Sequence, residues 1–312
     1  MFGRGLRSRL EESELVTILN QEIRSKLMTS YKSISTTLVT CIAFACVPAT
    51  LFAQEDAPDA AAMAKELSNP TAAVASLGNN FDFTEFGGDL PDADNQRGWN
   101  YLFQASFPFP QDNGKNILFR PAIPLLFKQP VFDSSNGEWN DQFELGDIGF
   151  DLAYGGTSDT GLLMLYGIVG SLPTATDDAV GSDQWILGPE FAIGLVRKWG
   201  VFGALITHKW DVAGSETRET NITGGQYFYA FPIGDGTTQI AAGPSFSYNH
   251  ELQGEKWTLP LGIGLSKTTV IGGRVWKFAF QYWNYIKTPD AFGPEHMLRF
   301  AITPVMTVPW AR

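Results

Sequence analysis

An all-β fold, a transmembrane antiparallel barrel of about 12 strands (about 10 or 14 also fit) with a short N-terminal helix, is predicted by three features of the sequence. Apolar and polar residues alternate with period two from Arg97 almost to the C-terminus. Trp and Tyr recur where those alternating runs end. No mid-chain apolar stretch approaches the roughly 20 residues that a membrane-crossing helix needs, so a chain that crosses a bilayer here must do so as a closed barrel.

Composition narrows the class further. Charged residues make up 18% and aromatics 13%, with 32 Gly and 18 Pro, which is low in charge and rich in aromatics for a water-soluble domain. The net charge is -11. An acidic chain without a Lys/Arg run lacks the clustered positive charge that phosphate contacts need, so no nucleic-acid partner is expected. The only cysteines, Cys41 and Cys46, lie near the N-terminus. A mature chain without them has no thiol chemistry, disulfide or Cys-ligated metal.

The N-terminus reads as an address label. Residues 34–47 carry no charge, Lys32 precedes them, and small residues follow around Ala49 and Ala53. This is the charged, apolar and cleavage-site order of a signal peptide, assigned to residues 28–53 with cleavage after Ala53. An uncleaved anchor is the alternative. Residues 1–27 read as a non-native extension ahead of Met28, or as a long charged region of the signal. The mature chain then holds 16 Lys/Arg against 29 Asp/Glu, a net charge of -13.

Residues 54–78 form a periplasmic or lumenal helical segment. Ala60 to Leu67 favours helix by propensity, and Ser68-Asn69-Pro70 stops it. It plugs the lumen or lies at its periplasmic mouth, or else tethers the chain loosely.

The barrel is assigned to residues 79–312, with Asn79 to Phe86 as its first strand. In the next run Trp99, Tyr101, Phe103, Ala105, Phe107 and Phe109 share one face, with Asn100, Gln104 and Ser106 opposite. Ile117, Phe119, Ile123, Leu125 and Phe127 repeat the pattern against Asn116, Arg120 and Lys128. Runs beginning at Leu145, Gln184, Gln239, Lys256, Trp276 and Leu298 do the same. Gly161 to Gly170 is apolar on both faces, and Val201 to Asp211 and Thr220 to Phe231 are less regular. Thr223-Gly224-Gly225 reads as a bend or bulge. With the N-terminus in the periplasm, residues 90–96, 132–141, 174–183 and 214–219, and the loops near Leu252 and Asp290, face outward.

The apolar face is assigned to lipid because Trp99, Trp185, Trp210, Tyr248, Trp257, Trp276 and Tyr282 match the aromatic girdles of membrane barrels. A soluble β-sandwich would turn that face inward and carry more Lys and Glu outside. The opposite face supplies the lumen-lining candidates Arg120, Asp147, Asp151, Glu190, Lys209, Asp211, Lys256, Lys277 and Arg299. Each either lines a pathway or pairs with a neighbour as structural filling. His208, His250 and His296 have no metal-ligand spacing, and no nucleophile motif accompanies them, so neither a metal, a cofactor nor an enzyme is expected.

Lys65-Glu66-Leu67-Ser68-Asn69-Pro70, Ala73 to Leu77, Asn79-Asn80-Phe81-Asp82 and Trp99 to Phe109 with Ile117-Leu118-Phe119-Arg120-Pro121 resemble Gram-negative outer-membrane barrels known only as transporters, sometimes mislabelled neuromedin U. That group is similar to the phenol meta-pathway barrel family. The resemblance implies an outer-membrane pore for small, hydrophobic or aromatic solutes, with outer-membrane lipid and a solute as its partners. A closed structural or surface-interaction barrel and a barrel lipid hydrolase remain as alternatives. Trp310 is followed by Ala311-Arg312, a departure from the terminal aromatic residue usual in such proteins. Oligomeric state is open.

Overall fold

The computed structural model describes residues 59–307 and 310. The assigned N-terminal extension and signal peptide lie outside the described residues. The described part begins with a seven-residue helix, α1 (Ala60–Glu66), whose first turn is capped by the Asp59 carboxylate accepting from the Ala61 and Ala62 amides at 2.9 and 3.3 Å. Fourteen strand segments follow: β1 (Ala75–Gly87), β2 (Arg97–Pro110), β3 (Asn116–Asp133), β4 (Glu138–Leu145), β5 (Ile148–Thr157), β6 (Leu162–Leu172), β7 (Gln184–Arg197), β8 (Gly200–Gly214), β9 (Asn221–Ile233), β10 (Thr238–Ala242), β11 (Ser245–Asn249), β12 (Trp257–Ile271), β13 (Arg274–Lys287) and β14 (Gly293–Met306).

These segments make 12 strands. β4 and β5 both pair with β3, and β10 and β11 both lie between β9 and β12, so each couple is one strand interrupted once. Every pairing is antiparallel, and β1 pairs with β14, which closes the sheet into a barrel. Closure leaves no edge, and lipid tolerates no unpaired backbone.

The connections differ by side. Those after β2, β5, β7, β9 and β12 hold two to five residues, and they lie at the end of the barrel that carries α1, taken below as the periplasmic end. The others reach eleven residues. This is the asymmetry expected of short periplasmic turns and longer external loops. The lipid-facing surface carries Ile193, Phe202, Leu261, Ile263 and Phe280, all exposed, while Asp82, Thr207, Glu190 and Ser266 are buried on the opposite face.

Three expectations need correction. The first strand starts at Ala75 rather than Asn79, because Ala75 and Ser76 already pair with Met306 and Val305. Residues 132–141, assigned to the outward side, are paired strand apart from the turn 134–137. β3 and β4 continue as a hairpin, with Phe132 opposite Trp139 and a turn closed by the Gly137 amide donating to the Asp133 carbonyl at 2.8 Å. Thr223-Gly224-Gly225 is no bulge, since β8 and β9 stay in register through it. Gly225 serves close approach instead: a Cβ there would collide with the Leu205 carbonyl oxygen.

Candidate functional site: the barrel lumen

The lumen is built from the alternate residues of each strand. On the β3–β8 wall, toward the periplasm, these residues are apolar. Leu118, Ala153, Leu163, Leu165 and Ala192 form one buried cluster, with Val196 and Leu205 packed against it. This explains why β6 is apolar on both faces: Leu162, Met164, Tyr166 and Ile168 face lipid, and Leu163 and Leu165 face inward.

Next to that cluster sits a charged group drawn from three strands. Arg120 Nε donates to Asp151 Oδ1 at 2.8 Å, and Arg120 Nη2 lies 3.8 Å from Glu190 Oε1. The side chains are 15%, 15% and 1% exposed, so one guanidinium faces two carboxylates away from bulk water. At the β1–β14 junction, Arg299 grips Asp82 through two hydrogen bonds of 2.7 Å and lies 4.6 Å over the Trp283 ring. Arg120, Asp151, Glu190 and Arg299 stand among the lumen candidates of the sequence, which does not show their pairing. Asp82 and Trp283 were missed as lumen residues, although both share the alternation.

The remaining candidates separate. Lys277 Nζ reaches Ser68 Oγ at 3.3 Å, beside the N-terminal segment. Lys209 is half-buried on β8, and Asp211 accepts from the Thr220 amide at 2.7 Å. Lys256 is not on a strand: it precedes β12, and its ammonium donates to the His250 carbonyl at 2.6 Å in an external loop.

Asp147 is not on a strand either. It occupies the break between β4 and β5 and organises the loop 173–183. Its carboxylate accepts from the Thr174, Ala175 and Ser182 amides at 3.1, 3.1 and 2.8 Å, and from Ser182 Oγ at 2.7 Å. Partial burial pushes this carboxyl up, but the four hydrogen bonds outweigh burial and leave it below its ordinary value. A depressed value means the anchorage is complete at neutral pH and is lost only as pH falls through it, below about 4. Asp147→Asn is expected to speed protease nicking within 173–183 several-fold at neutral pH, while the parent loop stays resistant until strongly acidic pH. Limited proteolysis across pH checks both.

The N-terminal segment lies in the periplasmic mouth. Ala64 is fully buried. On one side Ser68 Oγ donates to Gln239 Oε1 at 2.9 Å, and Gln239 Nε2 donates to the Ala64 carbonyl at 3.3 Å. On the other, Asn116 Nδ2 donates to the Thr71 carbonyl at 2.7 Å, and the Thr71 and Thr157 hydroxyls stand 2.9 Å apart. A cavity of about 190 Å³ remains beside α1, lined by Lys65, Arg197, Val201 and Gln239 among others.

Of the girdle aromatics, Trp99, Trp185, Trp210, Tyr248, Trp257 and Tyr282 lie toward the external ends of their strands, and Trp276 lies toward the periplasmic end. Trp199, in the turn before β8, adds to the periplasmic side by stacking with Phe202 and Phe231 at 6.2 and 6.0 Å. Trp310 stacks on Phe109 at 5.4 Å and donates to the Pro108 carbonyl at 2.8 Å. His208 and His250 meet at the external rim through the Thr223 hydroxyl, at 2.7 and 2.9 Å.

Charge is divided by side. Among the described residues, external loops and strand ends hold eighteen Asp/Glu against five Lys/Arg. The lumen holds four of each sign, and the periplasmic side five acids against six bases. The net negative charge of the barrel therefore sits on its outer face.

No family model matches the sequence, and no curated protein matches it. Solved structures do. The COG4313 outer membrane channel from Pseudomonas putida F1 is similar over 75% of this chain and 94% of that one, with 11% identity and a TM-score of 0.55. The NanC porin aligns over 74% of this chain and 100% of its own, with 10% identity and a TM-score of 0.45. The transport unit of the autotransporter AIDA-I from Escherichia coli aligns over 84% and 94%, with 10% identity and a TM-score of 0.44. The first likeness, together with the closed 12-strand antiparallel sheet, gives this chain the fold of an outer-membrane β-barrel.

Proposed function

We propose that the chain is an outer-membrane pore for small apolar or aromatic solutes, reached by a cleaved signal peptide. The observation that carries this reading is the inward-facing cluster of Leu118, Leu163, Leu165 and Leu205. Facing inward, these side chains do not solvate lipid; with Leu118, Leu163 and Leu165 fully buried, they close into an apolar constriction that an apolar solute parts more readily than a polar one. The likeness to the Pseudomonas putida channel and the resemblance around Lys65 to Pro70 support placing the chain beside the phenol meta-pathway barrels. The acidic outer face adds a selection: it gathers cations and repels anions over roughly a Debye length, about 10 Å at 0.1 M salt.

Planar-bilayer recording tests this. The expected result is a conductance whose reversal potential in a KCl gradient favours potassium, and which aromatic solutes block. A folded barrel with neither conductance nor solute binding overturns it. A second reading, a closed structural barrel, rests on the N-terminal segment in the periplasmic mouth, and the same recording separates the two.

A further inference from the structure

The cavity beside α1 is built from two sides. Ala61 and Lys65 stand one turn apart on α1 and share the face turned toward it. The barrel supplies the rest. Val201 and Ala230 lie opposite each other on β8 and β9, point inward and are 2% and 4% exposed. Pro232 pairs with Gln239 across the β9–β10 hairpin. With Ala61, these residues give a largely apolar lining to about 190 Å³ of open space.

The charge around that space is of one sign. Lys65, Arg197 and Lys198 border the cavity, and no carboxylate does. Among the described residues, none of these three cations forms an ion pair. The neighbouring acids are engaged or turned away. Asp235 accepts from the Thr237 amide and hydroxyl at 3.0 and 2.6 Å. Glu66 follows Lys65 directly in the helix and so does not share its face. Arg197 is fixed in place, because its Nη1 donates to the Thr160 carbonyl. Gly161 makes room for it: φ there is +71°, and a Cβ would collide with that Nη1. Among the described residues, Arg197 Nε and Nη2 have no hydrogen-bond partner.

We propose that this cavity binds a small organic anion, an apolar body carrying one carboxylate. Three cations around one partly enclosed space repel each other, and a carboxylate among them relieves that repulsion. The free donors of a planar guanidinium suit a carboxylate in particular. The walls of Ala61, Val201, Ala230 and Pro232 are wasted on a bare ion and reward an apolar body. The ligand arrives from the periplasmic end, since the acidic outer face holds anions off the other. It touches α1 on one side and the barrel on the other, so it also fastens the N-terminal segment in the mouth. The site stands apart from the reading of the barrel as a pore; in a conducting barrel, a bound anion favours the closed mouth.

Calorimetric titration of the purified, folded barrel tests the site. The probe is benzoate, with benzyl alcohol as its neutral counterpart and chloride as the bare anion. Benzoate is expected to bind several-fold more tightly than either. Lys65→Gln with Lys198→Gln is expected to weaken benzoate binding several-fold. Ala61→Leu fills the space from the helix side and is expected to abolish binding, with boiling-dependent gel migration as in the parent. Benzoate that binds no more tightly than benzyl alcohol, or that ignores both the double Gln variant and Ala61→Leu, overturns the site. Saturating benzoate is expected to slow protease nicking within residues 59–73 several-fold, and binding without that protection overturns the fastening role. The titration needs no conductance, so the two readings fail separately. A barrel that binds benzoate and passes no current keeps the site and loses the through-pore; one that conducts without preferring benzoate does the reverse.

Discussion

Arg120→Met is expected to destabilise the barrel by ~3–5 kcal/mol, the usual cost of removing one partner from a buried charged group. The substitution keeps the length of the side chain and removes its charge. Asp151 and Glu190 are then left facing one another on β5 and β7 with no cation between them. Boiling-dependent gel migration is the measurement: the temperature at which the folded band disappears is expected to drop clearly. The same substitution combined with Asp151→Asn and Glu190→Gln removes the stranded charge and is expected to recover most of the loss. A single variant as stable as the parent would mean that water reaches the group freely, and the charges would then belong to an aqueous path.

Deleting residues 59–73 is expected to raise single-channel conductance several-fold while leaving heat-modifiable migration intact. The two halves of this expectation have different sources. The segment is held in the mouth by hydrogen bonds from Gln239, Ser68, Asn116 and Thr71, each worth roughly 0.5–1.5 kcal/mol net. The barrel is held by strand ladders that close without it, since β1 begins at Ala75. Asn116→Ala, which removes the bond to the Thr71 carbonyl, is expected to give brief openings rather than a permanent one. Unchanged conductance after the deletion would place the constriction at the apolar cluster around Leu163 and Leu165.

Most of the wall is legible in the sequence, because lipid outside and a polar lumen inside impose period two. Legibility fails where those two solvents are not on opposite sides. β3 and β4 extend as a hairpin, and there Trp139 packs on Phe292 and donates to the Pro91 carbonyl instead of marking a lipid face. β6 is apolar toward lipid and apolar toward the lumen, so its faces cannot be told apart from residue type. The lumen charges appear singly in the chain, whereas Arg120 and Glu190 lie on different strands with two others between them. Asp147 and Lys256 continue the alternation numerically but fall just outside strand segments, where a single residue out of the ladder frees a side chain for loop contacts. The break between β10 and β11 is hidden for a simpler reason. Ile240, Ala242, Phe246 and Tyr248 alternate straight through Gly243-Pro244, and alternation reports which face a residue is on, not whether its backbone is paired.

The junction of β1 with β14 sets the order of assembly. Asp82 and Arg299 are 217 positions apart in the chain, and Asn79 Nδ2 reaches the Ile302 carbonyl from a still greater separation. Contacts so distant are the slowest to form, because the intervening chain must be arranged first. Until the last strand arrives, everything from β1 to β13 is an open sheet with two bare margins. The bidentate grip of Arg299 on Asp82 therefore acts as a latch: it is made only when the final hairpin swings home, and it rewards that arrangement over any register in which the two charges miss each other. A chain shortened within β14 would not yield a slightly weaker cylinder. It would yield a ribbon free to pair with other ribbons, which is the form that cellular quality control removes.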